Sequence, residues 1–512
     1  MNDKKHTKRR LPSKTKQAIA FLIMAMCQHN AICQSGFKLN NIEYMSEMSG
    51  TASGGDYAPF WLTSNKYGLS SIENNSGYIR GGIFRDIEND SLKKWRFGFG
   101  ADIVIPANYT SNFVVEQLYA DIQYKRVRLS IGSKEREMEL KNQKLSSGGL
   151  TNSINARPIP QVRIEVPEFW TIPGTGNWLA LKGHIAYGAF TDNNWQKDFA
   201  AEKTKYSANV LYHSKAGFLR IGNEEKFPIT FIGGLEMQAQ FGGEVWNIGK
   251  RADDTSDFDG SHVKLDNGLG SFLNVLFPGG SDPRDGDYKN IEGNQLGSWH
   301  FSLEYKNTKW SLRAYAEHFF EDHSQMFFQY GWKDMLYGIE IKLPRNRFIS
   351  NILYEHIGTA DQTGGLYHDH TSILPDQISG KDNYYNHSMY AGWMHWGQTI
   401  GNPLLISPIY NKDKNIQFYH NRINAHHIAI CGSPTNEIDY RLMFTHMKSL
   451  GTYDIPLVDP QYANFFMAEA TYSPQRLNRT SFTLSFGTNG GQIIGEGAGA
   501  MLTIRKTGLI TR

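Results

Sequence analysis

The sequence predicts an all-β chain and, within that class, a transmembrane antiparallel β-barrel. Three observations carry this expectation. Apolar and polar residues alternate with period two over runs of about ten residues. Short turns and long polar loops alternate between those runs. No stretch is apolar over the roughly 20 residues that a spanning helix needs. Composition agrees: of 512 residues 40% are hydrophobic and 20% charged, and mean hydropathy is −0.47. Those values exclude a bundle of membrane helices, and the absence of low-complexity blocks excludes a disordered chain. Aromatics reach 13% (26 Tyr, 29 Phe, 11 Trp) beside 50 Gly, a balance that suits strands and turns.

Residues 1–33 read as a signal peptide. Lys4, Lys5, Lys8, Arg9, Arg10, Lys14 and Lys16 make a positive leader, residues 18–26 (AIAFLIMAM) a short apolar run, and Ala31-Ile32-Cys33 a cleavage site. Its removal takes seven of 53 Lys and Arg and one of 50 Asp and Glu, turning the formal charge from +3 to about −3. A nucleic-acid partner loses its electrostatic motive. Cys27 and Cys33 also leave, so Cys431 has no partner for an internal disulfide.

Residues 34–76 are expected to form a periplasmic N-terminal segment or plug and the start of the barrel, with 45–51 and 57–61 irregular. Residues 77–512 are expected to form the barrel with long extracellular loops. In 178–190 (WLALKGHIAYGAF), Leu179, Leu181, Ile185 and Tyr187 share one face, and Lys182 and His184 the other. In 229–241 (ITFIGGLEMQAQF), Phe231, Leu235, Met237 and Phe241 oppose Thr230, Glu236, Gln238 and Gln240. Residues 299–306 and 348–357 alternate likewise. Tight turns are read at 124–127, 306–309, 344–347 and 432–436, and long loops at 251–298, taken as the longest, and 358–383. Parity places the turns after Tyr212, Lys306, Leu343, Cys431 and Tyr472 on one side, the periplasmic one. The count is about 18 to 21 candidate strands, and closure of a single-chain bacterial barrel asks for an even number. Trp178 and Phe190, Trp299 and Tyr305, Trp310 and Phe319, and Tyr440 and Phe444 fit interfacial girdles.

Candidate chemistry is sparse. His368-Asp369-His370 has no third ligand at fixed spacing, and His426 and His427 face apart on a strand, so no metal is expected. Lipid hydrolysis needs His and Ser on one face. His387-Ser388 and His213-Ser214 face apart, while His300 and Ser302 share the face turned from lipid. Gly495, Gly497 and Gly499 precede a strand and not a helix, which a phosphate loop would require. The chain is therefore expected to have no catalytic residues and no cofactor. The polar faces remain, with Arg313, Tyr315 and Glu317 on one strand. With Trp393, His395 and Trp396 in a loop, they offer the hydrogen bonds and flat rings that suit sugars.

At 155–164 the string NARPIPQVRI, followed by Pro167-Glu168-Phe169, Trp178-Leu179 and Lys182-Gly183-His184, resembles the capsule assembly Wzi family, in particular its Bacteroidetes branch. The strings 57–62 (YAPFWL), 219–222 (LRIG) and 502–505 (LTIR) fit it too. The resemblance implies an outer-membrane barrel of about 18 strands with a small helical element at its periplasmic end. It implies lectin-like anchoring of capsular polysaccharide and no enzymatic activity. Expected partners are that polysaccharide, outer-membrane lipid and the barrel-insertion machinery, for a monomer in the outer membrane of a Gram-negative bacterium. A porin-like channel for small solutes or sugars is the alternative. One departure is the end Leu509-Ile510-Thr511-Arg512, which lacks the terminal aromatic of many such barrels.

Overall fold

The computed structural model describes residues 41–510, apart from 91, 249–261, 280–291, 322–325, 327–332 and 369–376. The signal peptide expected at 1–33 lies outside the described residues, and so do Asp369 and His370 of the loop tripeptide.

Eighteen strands form one antiparallel sheet. They are β1 Glu43–Gly55, β2 Asn75–Arg85, β3 Trp95–Ala107, β4 Val114–Tyr124, β5 Val127–Ser133 and β6 Gln161–Thr171. Then come β7 Leu179–Ala189, β8 Leu211–Ile221, β9 Ile229–Phe241, β10 Asn294–Lys306, β11 Ser311–Glu321 and β12 Met335–Lys342. The last six are β13 Asn351–Gly358, β14 Ile423–Gly432, β15 Ile438–Gly451, β16 Pro456–Tyr472, β17 Thr480–Gly491 and β18 Gly497–Leu509. Each strand pairs with its sequence neighbours, and β1 pairs with β18 from Glu43↔Leu509 to Gly55↔Gly497. That last ladder closes the sheet and leaves no edge.

The alternation in the sequence becomes the two faces of the wall. Ile79, Leu118, Ile164, Leu303 and Leu484 are exposed on its outside, while Arg80, Gln117, Arg163, Ser302 and Ser485 on the same strands face inward. An exposed apolar band round a closed sheet is what a membrane-spanning barrel presents to lipid. Among the described residues no helix is long and apolar enough to cross a membrane.

Strand direction sorts the connections into two ends. The turns after β4, β6, β8, β10, β12, β14 and β16 are short and lie at the end where β1 begins and β18 finishes, here the terminal end. The long connections lie at the opposite, loop end.

Several expectations change. The turn placed after Tyr212 follows Ile221 instead, because Tyr212 is the second residue of β8. Residues 45–51 are not irregular; they lie inside β1. Since β1 crosses the wall first, the 57–62 string enters the lumen from the loop end, opposite to the periplasmic plug expected. The longest connection is 359–422, not the one at 251–298. Phe319 points into the lumen against Tyr384, at 4.8 Å, and Phe190 packs on Tyr212, at 5.8 Å, so neither belongs to a girdle. Trp178 and Trp310 do remain exposed beside terminal-end turns. Among the described residues the helical content at that end is one 3-10 turn, Ile87–Asp90, whose Asp90 pairs with Arg85 at 3.0 Å. The α-helices stand in loop-end connections: α1 Phe60–Thr63, α2 Asn193–Phe199 and α3 Leu269–Leu276.

Candidate functional site: a filled lumen beneath a loop-end mouth

Three segments fill the barrel: 56–71, 134–160 and 383–422. Helix α1 sets the first. Its Phe60 stacks on Phe465 at 4.3 Å, the Phe60 amide donates to Asn489 at 2.8 Å, and the Trp61 indole donates to Thr445 at 3.1 Å. The second leaves β5 and crosses the lumen before β6. The third hangs from β13 and β14 at the loop end. Buried Leu145, Leu150, Tyr384, Tyr385, Trp393, Leu404 and Phe418 join these segments to inward residues of the wall in one apolar core.

The wall holds this filling through buried carboxylates. Glu355 accepts hydrogen bonds from Ser146 Oγ at 2.7 Å, from the Ser147 amide at 2.7 Å and from Tyr315 at 2.5 Å. Glu317 accepts the amides of Leu150 at 2.7 Å and Thr151 at 3.2 Å, and pairs with Lys141 at 2.9 Å. Glu340 takes Asn142 at 2.7 Å and also binds Arg313. Glu317 and Glu340 each compensate a cation where water is excluded, and Glu355 is held by neutral donors.

The NARPIPQ string lies where the three segments meet. The Asn155 amide group donates to Thr399 O at 3.0 Å and accepts from Asn65 N at 3.0 Å. Ser153 Oγ donates to Gly401 O at 2.6 Å. Arg157 reaches Thr110 at 2.9 Å and Ser111 at 3.0 Å in the β3–β4 loop. Its distinctiveness in the sequence thus corresponds to a junction of the internal packing. A residual internal space of about 70 Å³ beside it, lined among others by Arg136, His184, Ser214 and Glu236, holds a few waters at most.

The six residues expected to contact sugar are placed as follows. Arg313, Tyr315 and Glu317 do face inward: Arg313 donates to Leu140 O at 2.9 Å and Glu317 accepts from the Leu150 amide, while the Tyr315 hydroxyl donates to Glu355 of the wall and its ring lies under Lys141, 4.7 Å away. Trp393 is buried and donates to Thr151 O at 3.0 Å. His395 is buried too: Nδ1 donates to Arg157 O at 2.9 Å, leaving Nε2 to accept from Thr191 N at 3.3 Å. Trp396 differs. With Gly397 it forms the two-residue turn of the hairpin Met394–His395/Gln398–Thr399, at φ 54° and 80°. Its half-buried ring lies under the Arg157 guanidinium, 4.5 Å away, at the loop-end mouth.

Sequence reading missed other pairs at that mouth. Lys414 sits 4.7 Å over the Phe199 ring and Arg422 sits 3.8 Å over Tyr453. Tyr206, Trp246 and His262 stack in a row across a small three-stranded sheet, at 5.1 and 4.6 Å. A cation beside an aromatic ring offers a sugar both an acid partner and a flat face. These partners are far apart in sequence, and no spacing signals them. A His–Ser pair was missed as well: His184 and Ser214, on adjacent strands, lie 2.7 Å apart. The pair is buried inside the wall. His300 and Ser302 also face inward, with His300 beside Glu236 at 3.4 Å. Among the described residues no group of His, Cys, Asp and Glu is arranged to hold a metal.

No family model and no curated protein matches this sequence. Solved structures do match. The chain overlays Wzi, an outer-membrane protein involved in group 1 capsule assembly in Escherichia coli and a carbohydrate-binding β-barrel. The TM-score is 0.54 at 11% identity, over 97% of this chain and 89% of that one. What the two share is the fold. OprD of Pseudomonas aeruginosa gives a TM-score of 0.43 at 8% identity, over 93% and 97% of the two chains. OccAB4 of Acinetobacter baumannii gives 0.43 at 7%, over 92% and 98%.

Proposed function

We propose that this chain is an outer-membrane barrel of a Gram-negative bacterium that anchors or organises capsular polysaccharide at the cell surface, by binding and without turnover. In this reading the terminal end faces the periplasm and the loop end faces outward. Outer-membrane lipid contacts the apolar band, the barrel-insertion machinery acts on the chain, and the protein works as a monomer.

The observation that carries the reading is the filled lumen. A barrel whose middle is packed with its own loops offers a partner its two ends: a space of about 400 Å³ at the terminal end, turned to the periplasm in this reading, and the loop-end mouth, which carries cation–aromatic pairs suited to acidic sugars. Support also comes from the fold shared with a carbohydrate-binding barrel. Of the expected contacts, Trp396 is the one whose ring reaches the mouth; Phe199, Tyr453 and the Tyr206–Trp246–His262 row join it as proposed contacts. Each site would be weak, and a polymer engaging several would be held by avidity.

The test is deletion of the gene with capsule measured on cells and in the medium. Polysaccharide shed into the medium with its synthesis intact is expected. Unchanged capsule, together with stepwise conductance of the purified protein in planar bilayers, would instead favour a porin-like channel.

A further inference from the structure

The connection between β9 and β10 sends a helix back over the outside of the wall. Val275 and Ser271 of α3 are buried, and Phe272 packs on Phe241 and Tyr187 at 5.0 and 5.2 Å. The Tyr187 hydroxyl donates to Phe272 O at 2.7 Å. Lys215, on the outer face of β8, donates to Val275 O and Leu276 O, both at 2.8 Å, and so satisfies the helix C-terminus. At the other end Asp266 accepts from the Gly268 amide at 3.0 Å and from Ser271 Oγ at 3.2 Å. Lys215 thus ties the C-terminal end of the helix to the wall, while Asp266 caps its N-terminal end from within the connection itself. It covers His213, Ala239 and Phe241, which would otherwise lie bare at the loop-end limit of the strands.

Its other face is apolar and uncovered. Leu269, Leu273 and Phe277 recur at spacing four, on one side, with exposures of 85%, 60% and 74%. Three large apolar side chains in a row are costly in water. The exposed Ile185 pairs with Lys215, which holds the helix C-terminus, and the exposed Leu219 and Phe231 lie farther towards the terminal end on the neighbouring strands, so the helix face extends the apolar outside of the wall at its loop-end limit.

We propose that α3 is an interfacial helix whose Leu269–Leu273–Phe277 face is inserted among the acyl chains of the outer leaflet, holding the β9–β10 connection down against the membrane. The occupant follows from continuity with the apolar outside of the wall, whose exposed residues lie on the same three strands that hold the helix. This rests on the membrane placement proposed above.

The test uses the full chain in phosphatidylcholine vesicles, with Cys27, Cys33 and Cys431 replaced by serine. The fluorophore NBD is attached in turn at L273C, at L484C in the band, and at K264C on the exposed strand His262–Lys264. Heat-modifiable migration checks that each variant is folded. Label at L273C is expected to lose fluorescence to doxyl-labelled lipid as strongly as label at L484C, and to be spared by iodide. Iodide quenching at L273C matching K264C, with L484C still quenched by lipid, would overturn the inference and leave the membrane placement intact. Iodide quenching at L484C itself would overturn both.

Discussion

At the residue scale, the internal carboxylates and the mouth rings play separate parts and respond to different substitutions. Removing the Glu317 carboxylate leaves the Lys141 ammonium, whose side chain is 1% exposed, without its partner, along with two amides. Unpairing a buried ion costs about 3–5 kcal/mol. Glu317→Ala is therefore expected to lower the midpoint of the heat-modifiable transition sharply while leaving the barrel closed. Trp396 offers a cleaner test of binding. A large residue in the left-handed region is strained by about 1 kcal/mol, and asparagine tolerates that conformation in a two-residue hairpin turn. Relief of that strain is offset by loss of the ring's contact with Arg157, so Trp396→Asn is expected to change thermal stability by no more than about 1–2 kcal/mol, yet weaken retention of an acidic polysaccharide on immobilised protein. Equal retention would remove Trp396 from the contacts. His387 supplies a pH prediction. Burial, reinforced by nearby Lys205, holds its pKa at about 4, below the ordinary 6.5. Neutral Nδ1 accepts the amides of Met389 at 3.0 Å and Tyr390 at 3.3 Å. The folded pKa is depressed, so its stabilisation is complete above about 6.5 and is lost as pH falls towards 4. Protease nicking of the 383–422 segment should rise over that window. His387→Asn, which keeps an acceptor but does not titrate, should flatten the profile.

At the element scale, the strands were legible because each is a local pattern. A run such as 229–241 states its own two faces, and the closely set pairs at 124–127 and 306–309 state their own turns. The errors fell where local pattern is weak. Residues 45–51 (MSEMSGT) carry few large side chains, and β1 is held by pairing with β2 and β18 on either side. Tyr212 looked like a strand end because its neighbours Leu211 and His213 lie under α3, where an outward residue need not face lipid. The internal hairpin 394–399 gives an element-scale prediction. Gly397 adopts φ 80°, and a Cβ there would stand 2.4 Å from the Trp195 ring of α2. Gly397→Val is expected to detach the hairpin from α2 and make the 383–422 segment protease-sensitive, while the strand signal in circular dichroism stays unchanged.

At the scale of the whole molecule, a closed sheet with a packed interior should conduct no ions. Intact protein in planar bilayers is expected to be silent, and a chain with residues 384–421 replaced by a short Gly-Ser linker should show channels. Conductance by the intact protein would mean that the filling moves aside. The barrel itself was determined by sequence alone, since period-two alternation, the short and long connections and their parity require a closed, two-ended sheet. So were the inward faces of Arg313, Tyr315 and Glu317 and the opposite faces of His426 and His427, of which the structure buries His427. What only the tertiary structure decided is what those inward faces meet. A polar residue on the lumen side satisfies the same pattern whether it faces water, sugar or another loop of its own chain. Glu317 bonds Leu150, and Asn155 bonds Thr399, across sequence separations of 167 and 244 residues. Strand periodicity acts over two residues, and it carries no record of such distant partners.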